Sequence, residues 1–390
     1  MGRSGTLVEN LSGEATYRSF RPAALPPSPP LQMGDEMATL LVSASRALQR
    51  LDDLSQYVPN TDLFISMYVR KEALLSSQIE GTQCTLEDVL DPEADTSADA
   101  DVSDVINYVK ATRFALTRLQ EIPLCGRLLK EVHEVLMGGV RGQEKNPGEF
   151  RRSQNWIGPG GGSLRDARYI PPNVEDMHEA IANLERFMNE PCELDPLVCA
   201  ALAHYQFETI HPFLDGNGCV GRLLILLYLI ECGLIGEPTI YISYFLKKNQ
   251  VEYYDRMMEV RRSGNYEQWV RFFLEAVRVA ALDASQSIER LSNLHEHNEA
   301  LLPASRRAKD NLRTLFSYIE QHPIFTIKGA ARALGLSYNG AATLTKKLEE
   351  LGIIEETTNA SRNRVFAYTD YLEILKEGTA PLTGGEAKAR

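Results

Sequence analysis

The chain lacks paired cysteines. Its six, at 84, 125, 192, 199, 219 and 232, show no CxxC spacing, which excludes a zinc ribbon and gives no sign of a disulfide framework. They read as reduced thiols of a cytoplasmic protein. Long apolar runs are missing too. The most apolar stretch, Leu223 to Ile230, falls far short of the roughly 20 residues that cross a bilayer, so it is expected to be a buried helix. Met1 to Asn10 holds no apolar run of the kind a secretory signal needs, and the protein is expected to be soluble. Positive charge is scarce: a net charge of −12 argues against a surface built wholly for nucleic acid, leaving only local basic faces.

What is present is mostly helical grammar. At 390 residues the chain has room for two or three domains. Residues 15–35 are proline-rich and read as an extended surface arm. Apolar residues then recur at three and four spacing through LLVSASRALQRLDDL and FISMYVRKEALLSSQIEG. Asp91 to Asp104 is acidic and reads as a solvated loop. From Val105 to about Leu282 the pattern is again helical, with one break. PGEFRRSQNWIGPGGGSLRDARYIPP, Pro147 to Pro172, suggests two short strands around a glycine-rich turn.

The C-terminal part has three amphipathic helices, NLRTLFSYIEQH, TIKGAARALGL and SYNGAATLTKKLEELG, then a hairpin in IIEETTNASRNRVFAYT. That order predicts a winged helix-turn-helix. The expected divisions are 1–110 for the arm and first helices, 111–282 for the central domain, 283–305 for a linking helix and 306–378 for the winged helix.

The chemistry concentrates in HPFLDGNGCVGRLLILLYLI, from His211 to Ile230. Gly216, Asn217 and Gly218 form a glycine-rich turn directly ahead of an apolar helix. Exposed backbone N–H groups and the helix's partial positive charge together suit a phosphate. Arg222 lies one turn inside, where a guanidinium can reach that phosphate. His211 titrates near neutrality and suits a general base. Asp215 offers the hard carboxylate that Mg²⁺ prefers.

HPFLDGNGCVGR resembles the Fic family signature, written HPFx(D/E)GNGRxxR, with the Pro147 to Pro172 segment similar to the family's flap. The resemblance implies a mainly α fold: a helical Fic core with a β-hairpin flap, plus the C-terminal winged helix. It implies AMP transfer from ATP to a Ser, Thr or Tyr hydroxyl of a protein, the chain itself included. His211 would be the base and Asp215 the Mg²⁺ ligand. Gly216, Asn217, Gly218, Cys219, Gly221 and Arg222 would line the phosphates. Tyr253 and Tyr254 would lie at the adenine end, and flap residues Asp166, Ala167, Arg168 and Tyr169 would align the target.

SSQIEG resembles the family's inhibitory helix, so Ser76 and Glu80 would act as a brake by pairing with Arg222. One position departs. Cys219 stands where the family has its first arginine, which removes a charge-assisted phosphate contact. Arg151, Arg152, Arg165 and Arg168 are candidate replacements, and a different transferred group is conceivable. The alternative function is a DNA-binding regulator with a nucleotide-sensing Fic part. Lys346, Lys347, Arg362 and Arg364 would meet DNA phosphates, against the nearby Glu349, Glu350, Glu355 and Glu356. A homodimer is a further possibility by analogy.

Overall fold

Two helices with almost no polar face set the centre of the molecule. A computed structural model describes residues 2–11, 16–56, 61–92, 99–139, 143–158, 163–303, 306–358 and 364–381. In chain order it holds strands β1 (Gly5–Asn10) and β2 (Tyr17–Pro22), then helices α1 (Asp35–Gln56), α2 (Thr61–Ile79), α3 (Leu86–Leu90), α4 (Ala100–Leu119), α5 (Gly126–Leu136), α6 (Val174–Asn189), α7 (Pro196–Ile210), α8 (Asn217–Glu231), α9 (Ser243–Lys248), α10 (Gln250–Ser263) and α11 (Tyr266–Leu301). The C-terminal part adds α12 (Arg306–Gln321), β3 (Ile324–Thr326), α13 (Ile327–Leu334), α14 (Tyr338–Glu350), β4 (Glu355–Glu356), β5 (Val365–Ala367) and α15 (Thr369–Lys376).

Every residue of α7 from Leu197 to Ile210 is buried, and α8 is buried from Val220 to Leu229. A helix apolar on all sides can only sit inside. These two pack on each other. α4, α5, α6 and α11 surround them, α1 runs along α11, and α2 lies against α4 and α9 and touches α8. Asp195 caps α7 by accepting from the Leu197 N–H at 2.8 Å, with Pro196 in the first turn.

The structure departs from the sequence reading at several places, one being the acidic segment, where α4 already begins at Ala100 behind an Asp99 cap. The proline-rich arm is more than a surface strap: β1 and β2 form an antiparallel hairpin, with Phe20 and Ser19 buried. Arg3 fastens it through two 2.8 Å bonds to the Glu267 carboxylate and further bonds to the Pro29, Pro30 and Gly264 carbonyls. Among its described residues the flap has one antiparallel bridge, Ile157 to Tyr169, and no longer strand pairing. Its prolines and glycines cannot sustain a ladder, and its glycine-rich centre at 159–162 lies outside the described residues.

The segment expected to begin at 283 continues a helix from Tyr266, because the apolar period runs through Leu282 without a breaker. At 36 residues that helix is about 54 Å long at 1.5 Å per residue. In the C-terminal part, the 353–369 hairpin is joined by β3 into an antiparallel sheet of order β3-β5-β4. Thr326 and Ser337 cap α13 and α14, and Gly335 ends α13 at φ +65. Among the described residues no helix is long and apolar enough to cross a membrane.

Candidate active site

His211 ends α7 in the left-handed conformation, φ 50 and ψ 61, uncommon for a residue with a Cβ. Its N–H bonds the Phe207 carbonyl at 2.9 Å. Its own carbonyl accepts from Arg151 Nε at 3.0 Å and Asn155 Nδ2 at 3.2 Å. The half-buried ring keeps Nδ1 without a hydrogen-bond partner among the described residues. Burial first, then the Arg261 and Arg151 cations, pull the imidazole down to about 4. The ring is therefore neutral at physiological pH, the form that accepts a proton.

The loop after it is braced from inside. Phe213 is fully buried and stacks on His133 at 3.8 Å. Asn217 closes the turn with its side chain, accepting from the Phe213 N–H at 2.8 Å and donating to the Phe213 carbonyl at 2.9 Å. Both polar ends of the Asn217 side chain are thus committed to bracing the turn. His133 Nδ1 accepts from the Gly148 N–H at 3.0 Å. Its proton therefore sits on Nε2, 3.2 Å from the Asp215 carbonyl. Gly216 is left-handed at φ +70, and a Cβ there would lie 2.9 Å from Met137 Sδ. Asp215 presents an exposed carboxylate, one oxygen of which accepts from the Gly216 N–H at 2.8 Å.

Arg222 is buried to 1% and points back toward α2. Nε donates to Ser76 Oγ at 2.8 Å, and Nη2 donates to the Ser76 carbonyl at 3.1 Å and Glu80 Oε1 at 2.8 Å. The Glu80 carboxylate also rests on the first turn of α8: a Cβ on Gly218 would lie 2.1 Å from Glu80 Oε1. An anion thus occupies the helix start where the sequence placed a phosphate. Cys219 sits alongside, 3.8 Å from Arg222 Nη2, its thiol pushed up to about 12 by burial. It carries no charge, so Arg222 is the guanidinium at this helix start. Gly221 leaves room for Glu208, whose Oε1 would be 2.2 Å from a Cβ there. Burial raises the Glu208 carboxyl to about 7.

Tyr253 and Tyr254 lie near enough to Arg222 to act on its charge. Tyr253 is fully buried against Trp269 and Phe272, with its hydroxyl 2.8 Å from His204 Nε2. It is a core residue, because α10 turns that face inward. Tyr254, 5.0 Å away from it, is half-buried. On the flap, Asp166 accepts from the Ser163 N–H and hydroxyl and caps its own short turn. Arg168 pairs with Asp255 at 2.9 Å. Tyr169 is buried, donating to the Thr209 carbonyl at 2.7 Å under the Arg261 guanidinium. Tyr169 therefore anchors the flap and does not face a target. Ala167 is extended and half-buried, directly after the short turn Leu164–Asp166.

Arg151 is buried and bonded to backbone carbonyls, so it cannot stand in for the arginine missing at 219. Arg152 is exposed near Glu149. In the C-terminal part, Lys346 faces Glu350 at 3.6 Å and Arg364 pairs with Glu356 at 2.5 Å, while Lys347 is exposed. Arg362 lies outside the described residues. His133, Glu208 and Arg261 were not singled out from the sequence, because each takes part only through a partner distant in the chain.

Residues 38–117 match the Fic/DOC family N-terminal region and residues 123–229 match the Fic/DOC family. Protein adenylyltransferase Fic of Drosophila erecta is 32% identical over 159 residues, 40% of this chain and 28% of the relative. Its Drosophila melanogaster counterpart is 31% identical over the same length and 29% of its own. The chain thus spans less than a third of those curated relatives. Among solved structures, a Fic family protein from Desulfovibrio desulfuricans has a TM-score of 0.55 at 22% identity, covering 87% of this chain and 97% of that one. A Fic domain signalling protein from Bacteroides thetaiotaomicron has a TM-score of 0.52 at 17% identity, covering 64% and 97%. At those identities the likeness is one of fold.

Proposed function

The chain belongs to the Fic/DOC family, and from that premise we propose that it is a protein adenylyltransferase held off by its own Glu80. ATP is the substrate, and its polyphosphate takes the start of α8. Arg222 grips the terminal phosphate. Neutral His211 removes the proton from a Ser, Thr or Tyr hydroxyl of the target protein. The freed oxygen attacks the α-phosphorus, the bond to the β-phosphate oxygen breaks, and pyrophosphate leaves. AMP remains on the target.

Asp215 would hold Mg²⁺. Among the described residues no cluster of three metal-binding side chains exists. A lone exposed carboxylate suits an ion that takes most of its ligands from phosphates and water. Bound there, the ion would neutralise charge on the polyphosphate. The backbone of the flap at Ala167 and Arg168 would align an extended target segment. The six free thiols fit a reducing, cytoplasmic setting. We assign residues 306–378 to a winged helix, in keeping with its helix and strand order.

One observation carries the reading. Glu80 holds the guanidinium and the helix start that a nucleotide would need, through the 2.8 Å contact to Arg222. A carboxylate and a phosphate cannot share them. The test is incubation of Glu80→Gly with Mg²⁺ and ATP labelled on the α-phosphate, followed by mass spectrometry. An AMP adduct is expected, and it should disappear when His211→Ala is added, with ATP binding kept within about twofold (~0.4 kcal/mol). A different adduct mass, or label surviving without His211, would overturn the assignment.

A further inference from the structure

The flap and the base share one set of hydrogen bonds. Arg151 Nη2 donates to the Pro172 carbonyl at 2.5 Å and the Ile210 carbonyl at 3.5 Å, Nη1 to the Ser153 carbonyl at 3.3 Å, and Nε to the His211 carbonyl at 3.0 Å. Its own N–H donates to the Pro212 carbonyl at 2.9 Å. Asn155, also on the flap arm, donates to the His211 carbonyl at 3.2 Å and the Phe213 carbonyl at 2.9 Å. Arg151 is buried to 1%, and among the described residues its guanidinium hydrogen bonds go to backbone carbonyls. A buried guanidinium bonded in this way is costly to keep, and burial pulls it down to about 10.

The carbonyl that two of these side chains grip belongs to the residue in the left-handed conformation. Such a conformation persists where the surroundings over-determine it. Here the surroundings are the flap.

We propose that Arg151 and Asn155 are positioning residues, which hold His211 in its left-handed conformation and bind the flap and the base into one unit. Seating of a target strand on the flap is then felt at the imidazole through Pro172, Arg151 and the His211 carbonyl. This rests on the adenylyltransferase reading for its kinetic consequence, but its structural consequence stands without it.

Two measurements separate the two claims. The first is hydrogen exchange of the full chain without nucleotide, comparing wild type with Arg151→Lys and Asn155→Asp. Arg151→Lys keeps the charge and loses the fork. Asn155→Asp keeps the shape and turns a donor into a second acceptor facing two carbonyls. Amides of 209–218 and of 163–172 should exchange at least about tenfold faster together, a loss of ~1.4 kcal/mol of local protection, while α11 is unchanged. Loosening of the flap with 209–218 left protected would overturn the proposal.

The second is AMP transfer in the Glu80→Gly background. The turnover number should fall at least about tenfold (~1.4 kcal/mol), with ATP affinity unchanged. Val198→Ala, a core truncation in α7, should lower the melting temperature without that fall. A fall no greater than the lost folded fraction, or one matched by weaker ATP binding, would reduce the pair to ordinary structural support. If Glu80→Gly transfers nothing at all, the adenylyltransferase reading fails, and hydrogen exchange still decides on the clamp.

Discussion

Glu80 has two roles that oppose each other. It partners a guanidinium buried to 1%, and its carboxylate rests on the first turn of α8, where in the proposed reading it excludes nucleotide. Glu80→Gly should therefore cost stability in the absence of nucleotide, about 1 kcal/mol given that Ser76 still accepts from Arg222. It should also gain a larger rise in melting temperature with ATP than the wild type, which thermal melts with and without Mg²⁺–ATP will show. As the proposed base, His211 would set the pH dependence. The base works neutral and its imidazole is pulled down to about 4, so activity of the Glu80→Gly form should hold as pH falls through 6.5 and be lost near 4. Loss centred on 6.5 would mean an ordinary, solvated histidine. Cys219 leaves the helix start short of a cation, so Cys219→Arg in the same background should raise transfer by about tenfold, near the low end for a charge-assisted bond.

At the scale of elements, the turn between α7 and α8 was readable because its parts are adjacent in sequence. His211, Gly216 and the apolar α8 all lie within twenty residues, and the glycine and cap chemistry is local. Glu80 and Ser76 were singled out by the likeness of SSQIEG to the family's inhibitory helix, their spacing of four only placing them on one helix face. What stayed hidden depends on packing between distant segments. Tyr253, expected at the adenine end, shows its burial only once α10 docks on Trp269. The bracing role of the Asn217 side chain shows only once the turn closes on Phe213. The arm's strands went unseen because pairing of 5–10 with 17–22 is decided across a turn, not within either strand.

Gly221 shows the same dependence. In an open helix, Gly→Ala stabilises by about 0.5–1 kcal/mol. Here the new methyl would press on Glu208 Oε1 and, at 3.1 Å, on Phe207. Gly221→Ala should be net destabilising by about 1–3 kcal/mol, measured by chemical denaturation.

Across the whole molecule, α2 joins the helical body to the C-terminal part. Gln78, between Ser76 and Glu80, donates to the Cys84 carbonyl at 3.0 Å and the Thr379 carbonyl at 2.9 Å, and accepts from Lys247 Nζ at 2.7 Å. Arg290 with Glu377 at 2.6 Å and Lys376 with Glu87 at 2.5 Å add exposed ties, worth little each. The Gln78 bonds are buried, and Gln78→Ala should cost about 1–3 kcal/mol, visible as a lower melting temperature of the full chain.

All of this rests on the start of α8 being a nucleotide site that Glu80 covers. The most direct test is calorimetric titration of Mg²⁺–ATP into wild type and Glu80→Gly. The account predicts binding at least about tenfold tighter in the variant, or ~1.4 kcal/mol. Equal affinity in the two proteins would contradict it.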